Sequence, residues 1–353
     1  MRDDAVRCAG LALATLLLPV VAFAQGFAGL GTPAEEFENP DPGYAITFPE
    51  DHGPHPAFRI EWWYVTANLE AEDGTPYGIQ WTLFRTALAP FEDEGWDSPQ
   101  LWMGHMGLTT PTDHHVAERL ARGGMGQAGV TAEPFAAFID DWRMEGPTLS
   151  DVTMTASGET AGYTLELSAD GPFVMQGIDG YSVKAASGQA SYYYSQPFYE
   201  ASGTLNLPEG NVAVTGTAWL DREWSSQPLS EGQTGWDWFS LGFEGGERLM
   251  GFRLRDETAG DYTSATWIAP DGTPTPYGDG ALTATPLESH DTAAGPTVPV
   301  EWRVELPDRG LDVTVSALNP DAWMATAFPY WEGPVTVTGS HEGRGYLEMT
   351  GYE

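Results

Sequence analysis

The 353-residue chain carries 51 acidic against 15 basic residues, a formal net charge of −36, and its single lysine is Lys184. A chain so acidic repels phosphate backbones and anionic lipid surfaces, which argues against nucleic-acid binding and against docking on a membrane through a basic patch. Its 42 glycines and 27 prolines are scattered as turn punctuation and long Ala/Leu/Glu/Lys stretches are missing, so short strands are expected rather than helices.

In chain order, Arg2 and Arg7 supply positive charge, diluted by Asp3 and Asp4, ahead of an apolar run, Leu11 to Val21, and Ala22-Phe23-Ala24 supplies a small-x-small cleavage site. Residues 1–24 are therefore predicted to be a secretory signal peptide, with the protein exported to the periplasm. Cys8, the only cysteine, precedes the apolar run, so cleavage would leave a chain without disulfides or thiolate chemistry. No later stretch approaches the roughly 18 apolar residues of a membrane span. Residues 25–51, rich in Gly, Pro, Asp and Glu, are expected to form an extended lead-in with little core.

Strands follow almost without interruption. Glu61 to Leu69 is the first, a turn at Asp73-Gly74 comes next, and Tyr77 to Leu88 is the second. Further strands are predicted at 102–109, 116–121, 138–144, 152–156, 163–168, 190–194, 204–207 and 212–221, with one short helix near Pro134 to Ile139. A second series starts at Trp236 and continues through 238–243, 248–256, 262–268, 300–306, 311–318, 335–339 and 345–351. The two series are alike. Trp63-Tyr64-Val65-Thr66, a turn and Gly78 to Arg85 match Trp238-Phe239-Ser240-Leu241, a turn and Met250 to Arg255. Ser202 to Leu205 followed by Thr217 to Asp221 matches Glu332 to Val335 followed by Gly345 to Glu348. Two matches in the same order predict a duplicated, all-β architecture. Sequential strands joined by short turns close most simply into barrels, the first and larger over 52–224 and the second over 225–353.

Several chemistries lack their motifs. The histidines form no H-x-H or H-x3-H pair on a regular element, and His52-x-x-His55 lies in a Pro/Gly loop, so no metal site is expected. The nucleophile elbow G-x-S-x-G and the phosphate-binding G-x-x-x-x-G-K-[ST] are absent. What remains is a set of acids and arginines inside aromatic strands. Glu61 adjoins Trp62-Trp63, Arg85 ends an apolar strand, His105 lies within another, Asp221-Arg222-Glu223-Trp224 ends the first series and Trp236-Asp237-Trp238 opens the second. Buried charges of this kind need partners. They predict either an Arg–carboxylate network holding two barrels together or a ligand or catalytic site at a barrel mouth or at the seam. A carboxylic acid among tryptophans has its pKa raised, which suits a general acid, and the ring faces suit a carbocation or an apolar ligand.

The stretches His55-Pro56-x-Phe58-Arg59-Ile60-Glu61-Trp62-Trp63-Tyr64, Gly78 to Arg85, Ala190 to Ser195, Trp219 to Ser225, Gly235 to Phe239, Tyr330 to Gly333 and Gly345 to Tyr352 resemble the motifs of the AttH/CrtC-like lipocalin family. The resemblance covers the chain from about residue 52 onward and implies two lipocalin-like barrels. One branch, the carotenoid 1,2-hydratases or hydroxyneurosporene synthases, adds water to a terminal isoprenoid double bond without a cofactor. Its catalytic His and Trp lie in an Asp-His-x-Trp stretch. Here Asp221-Arg222-Glu223-Trp224 keeps the tryptophan and has arginine for histidine, and arginine does not release its proton near neutral pH. The other branch is similar to AttH, associated with an ABC transport system. The signal-like N-terminus and the Asp-Arg-Glu-Trp-Ser wording favour it.

The expectation is thus an exported protein that binds a lipid- or isoprenoid-like molecule, acts with an inner-membrane ABC permease and needs no cofactor. The alternative is a cofactor-independent isoprenoid hydratase or cyclase. Glu61, Asp221 and Glu223 are the candidate acids. Trp63, Gln80, Arg85, His105, Tyr194, Arg222, Trp224, Asp237 and Trp238 are the candidate ligand-binding residues.

Overall fold

The computed structural model describes residues 36–352 apart from 228 and 231. The expected signal peptide and the start of the lead-in lie outside the described residues. Within them the protein is all-β: three short 3-10 turns occur and no α-helix, and no helix is long and apolar enough to cross a membrane.

The first sheet has 13 strands: β1 (Ile60–Ala71), β2 (Pro76–Ala87), β3 (Gln100–Thr109), β4 (His114–Arg122), β5 (Ala128–Thr131), β6 (Phe135–Ile139), β7 (Trp142–Thr148), β8 (Asp151–Ser157), β9 (Gly162–Ala169), β10 (Val174–Met175), β11 (Tyr181–Val183), β12 (Ala190–Leu207) and β13 (Gly210–Ser225). The second has 10: β14 (Gln233–Phe243), β15 (Arg248–Asp256), β16 (Tyr262–Ile268), β17 (Pro274–Tyr277), β18 (Thr283–Asp291), β19 (Thr297–Leu306), β20 (Leu311–Ala317), β21 (Trp323–Met324), β22 (Tyr330–Gly339) and β23 (Gly343–Met349).

The duplication is visible in the pairing. The first strand of each sheet lies between its second and its last, β1 between β2 and β13, and β14 between β15 and β23. Short strands β10 and β11 in one sheet, and β21 in the other, cap the penultimate strand. Each sheet curls round its own core. The first is nearly closed and the second is a half-barrel, a tandem lipocalin-like pair with the larger unit first. The expected helix at 134–139 is instead strand β6. Phe135, Ala137 and Ile139 are buried while Ala136 and Phe138 are half-buried, a period of two that the Ala-Ala pair obscured.

Strand alternation sorts the aromatic residues. Trp63, Val65, Ala67 and Leu69 of β1 enter the first core, and Phe239, Leu241 and Phe243 of β14 enter the second. The opposite faces of the same strands meet: Tyr64, Tyr193, Trp219, Trp238, Phe252 and Tyr346 form a third core between the two sheets. Close approach there depends on Gly78, where a Cβ would sit 2.5 Å from the Pro334 ring across the seam. The later part of the lead-in is packed rather than free. Asp51 is buried, as is His52 just after it, and Ile46 lies against the first core.

Candidate functional site

The charged residues of the aromatic strands fall into separate clusters, because neighbours on a strand point to opposite faces. Inside the first barrel, fully buried Glu61 accepts from Arg85 Nε through one oxygen and from Arg222 Nη2, 2.5 Å away, through the other. Arg85 also donates to Gln100 and to the carbonyls of His55 and Phe58. The Arg222 guanidinium lies 3.8 Å from the Trp63 ring centroid. His55 stacks on Trp224 at 4.0 Å and bridges Asp51 and Glu61. Tyr194 contacts the His52 ring at 2.7 Å. Burial opposes the ionisation of Glu61, but Arg85 and Arg222 overcome it and hold the carboxyl well below its ordinary range. Both carboxylate oxygens of Glu61 are thus engaged by cations in the barrel interior.

Inside the second sheet Asp237 holds the corresponding place. It accepts from Arg255 at 2.6 Å and lies 3.6 Å from Arg253, its register partner, as Arg85 is the register partner of Glu61. Burial raises its pKa to about 6 despite Arg255.

The third cluster is at the seam and contains a cavity of about 130 Å³, a volume close to that which holds a single aromatic ring in other proteins. Tyr64 and Trp62 of β1, Tyr193 of β12, Trp236 and Trp238 of β14 and Phe252 of β15 supply its aromatic walls. Three acids face it, Asp221, Glu223 and Glu348, against one cation, Lys184. Half-buried Lys184, Gln189, Gln227 and Gln233 lie where it reaches the surface. Lys184 is 2.8 Å from Glu223 and sits over the Tyr193 ring.

Among the described residues the other two acids have no cationic partner. Asp221 accepts from the hydroxyls of Tyr193 and Ser195 at 2.5 Å each and from Trp219 Nε1 at 2.6 Å. Burial raises its pKa to about 7 against those three donors. Glu348 accepts from Trp236 Nε1 at 2.7 Å, and burial raises it likewise to about 7. Two carboxyl groups in an aromatic cavity are thus protonatable in the neutral range, the property asked of a general acid.

The family model described as AttH-like matches residues 39–352. The chain belongs to the AttH-like family. Among curated proteins no sequence matches it. It is similar to the crystal structure of a protein assigned as an AttH from Nitrosomonas europaea, with 34% identity over 90% of this chain and 99% of that one, at a TM-score of 0.81. It is also similar in fold to kievitone hydratase from Nectria haematococca, with 13% identity over 91% of this chain and 98% of that one, at a TM-score of 0.67.

Of the candidates read from the sequence, Asp221, Glu223 and Trp238 line the seam cavity of this AttH-like protein. Glu61, Trp63, Arg85, Tyr194, Arg222 and Trp224 lie together inside the first barrel, and Asp237 inside the second sheet. Gln80 and His105 are on the outer face of β2 and β3, both in contact with the Tyr330 hydroxyl. The cluster expected from Asp221-Arg222-Glu223 and Asp237 is therefore divided. Arg222 is ion-paired with Glu61 and not with the carboxylates of Asp221 or Glu223, because β13 turns it to the opposite face; it reaches only the backbone carbonyl of Glu223. Sequence reasoning missed Tyr64, Tyr193, Lys184, Trp236 and Glu348 as cavity residues. All lie in motifs already singled out, or, for Lys184, at the only lysine; what was missing was the face on which each strand carries them.

Proposed function

We propose that this AttH-like protein binds a small, largely apolar molecule, lipid- or isoprenoid-like, in the seam cavity. The carrying observation is that aromatic side chains turned away from both barrel cores converge there on two carboxyl groups without cationic partners. Perturbed acids in an aromatic cleft are costly to keep and mark functional sites. Export to the periplasm and partnership with an inner-membrane ABC permease belong to the same proposal; they rest on the signal-like N-terminus and on the AttH resemblance. Native mass spectrometry of protein purified from its own host should find a retained apolar molecule. The neutral probe N-phenyl-1-naphthylamine should bind wild type, and Trp238→Ala should weaken it about tenfold to a hundredfold, with Trp302→Phe in the second core as control. Equal binding by Trp238→Ala and wild type would remove the seam from consideration.

A second reading is hydration of an alkene in the same cavity, favoured by Glu348, a protonatable acid that faces the cavity and accepts from a single side chain, Trp236. A hydratase among the structural neighbours points the same way. In this scheme Glu348 gives its proton to one alkene carbon, the aromatic faces of Trp238 and Tyr64 stabilise the cation, water adds to the other carbon, and the proton that water loses returns to Glu348. Incubation with prenylated substrates in heavy-oxygen water would label the alcohol product, and Glu348→Gln would abolish the labelling.

A further inference from the structure

The motif Tyr330-Trp331-Glu332-Gly333 is absorbed by neither barrel core nor cavity, apart from Trp331 in the second core. Glu332 is fully buried on the seam face of β22. One oxygen accepts from the Tyr64 hydroxyl, Tyr330 is also hydrogen-bonded to the group, and the second oxygen, Oε2, is buried without a hydrogen-bond partner. The titratable groups facing Glu332 are Tyr64, Tyr163, Tyr330, Tyr346 and Glu348; among the described residues no arginine or lysine joins them. Glu348 is its register partner on β23, so the two carboxyl groups stand side by side on one face of the sheet. Like charges so placed cannot both be ionised at little cost, and a shared proton relieves them.

From Glu332 a continuous line of exchangeable groups leads outward. The Tyr330 hydroxyl is 3.0 Å from His105 Nδ1 and accepts from Gln80 Nε2 at 3.2 Å. His105 Nε2 is 3.2 Å from Glu118 Oε1. His105 is fully buried, whereas the Glu118 side chain is 25% exposed and meets water. Gln80 donates to the Tyr330 oxygen and so does not compete for the hydroxyl proton, which the relay passes between His105 and Glu332. His105 and Glu118 face each other across β3 and β4, and Tyr330 stacks on His105, so the order of the groups is set by strand register.

We propose that Glu118, His105, Tyr330 and Glu332 form a proton relay between bulk water and the seam cavity, with Glu348 as its terminus. The inference rests on the second reading, in which Glu348 is the cavity acid. Each group accepts one proton and gives one up. A proton entering at Glu118 passes to His105 Nε2, the Nδ1 proton passes to Tyr330, the phenol proton passes to Glu332, and Glu332 hands a proton to Glu348. Net transfer is one proton from water to the cavity, with only O–H and N–H bonds made and broken. Hydration itself returns a proton to Glu348 and consumes none, so the relay serves to set and restore the resting proton of Glu348 from bulk water while the cavity itself is filled by ligand.

A light-triggered acid jump followed by time-resolved infrared spectroscopy tests it without any substrate. Wild type should show a protonated-carboxyl C=O band, reduced in Glu348→Gln and in Glu332→Gln. In Glu118→Gln and in His105→Phe the band should reach the same final amplitude but rise at least about tenfold more slowly. Should His105→Phe fail to fold, Glu118→Gln at the exposed end carries the test alone. A band with wild-type rise in Glu118→Gln overturns the relay and leaves the cavity acid standing. Absence of any such band in wild type overturns the cavity acid and the relay together.

Discussion

Glu61 and Asp221 are buried carboxyl groups on strands paired with each other, yet their proton affinities are shifted in opposite directions. Glu61, inside the first barrel, is gripped by Arg85 and Arg222 and kept ionised. Asp221, on the seam face of β13, accepts only neutral donors and is pushed up to about 7. Burial opposes ionisation of both; the difference is a cation within reach. Arg85 and Arg222 lie in the barrel interior, while the cavity between the sheets keeps acids that can carry protons. The first arrangement is suited to holding a structure together, and the second to chemistry or ligand recognition.

Arg222→Met should have the largest effect on this contrast. It leaves buried Glu61 with Arg85 as its one remaining arginine, beside His55, and should lower the unfolding free energy by about 3–5 kcal/mol, measured by urea denaturation, while probe binding at the seam is kept. A loss under about 1 kcal/mol would mean that the interior pair is not the clamp described. The pH dependence comes next. A carboxyl whose pKa is raised by folding binds more protons in the folded chain, so its contribution is present below the ordinary carboxylate range and is lost as pH rises through about 7. His52, lowered by burial to about 4, and His114, lowered by burial to about 3, act in the opposite sense, so the contrast is read as a difference. Relative to wild type, Asp221→Asn should gain stability as pH rises across that window, with a slope approaching about 1.4 kcal/mol per pH unit. A pH-independent difference would place Asp221 with the ionised acids. The smallest effect is expected of Lys184→Met. The Lys184–Glu223 pair is partly exposed at the cavity rim and its loss should cost under about 1 kcal/mol by thermal or urea unfolding. A larger loss would make the seam a second structural clamp and blur its distinction from the interior.

Much of this protein was legible in its residues alone. Aromatic and β-branched residues at a period of two, with Gly and Asp at the turns, determine that the chain is all-β. The likeness of the two opening and two closing hairpins determines that it is duplicated, and the shared strand order of the two sheets reflects it. Strands β17 and β18 were not foreseen, because each is an edge with one paired neighbour and few buried side chains; without a core to face, no alternation is written into them. The candidate site was legible as residue types but not as a place. Alternation says that Asp221 and Arg222 point to opposite faces, but not which face is the core. That choice is made by everything that packs on each side: Trp63, Trp224 and the Gly53 carbonyl around Arg222, and Trp236, Trp238 and Phe252 of the second sheet around the cavity that Asp221 lines. A carboxyl group's proton affinity follows from those neighbours, and they arrive from as far as Glu332 and Glu348, so only the tertiary structure decides which acids are clamped and which can carry a proton.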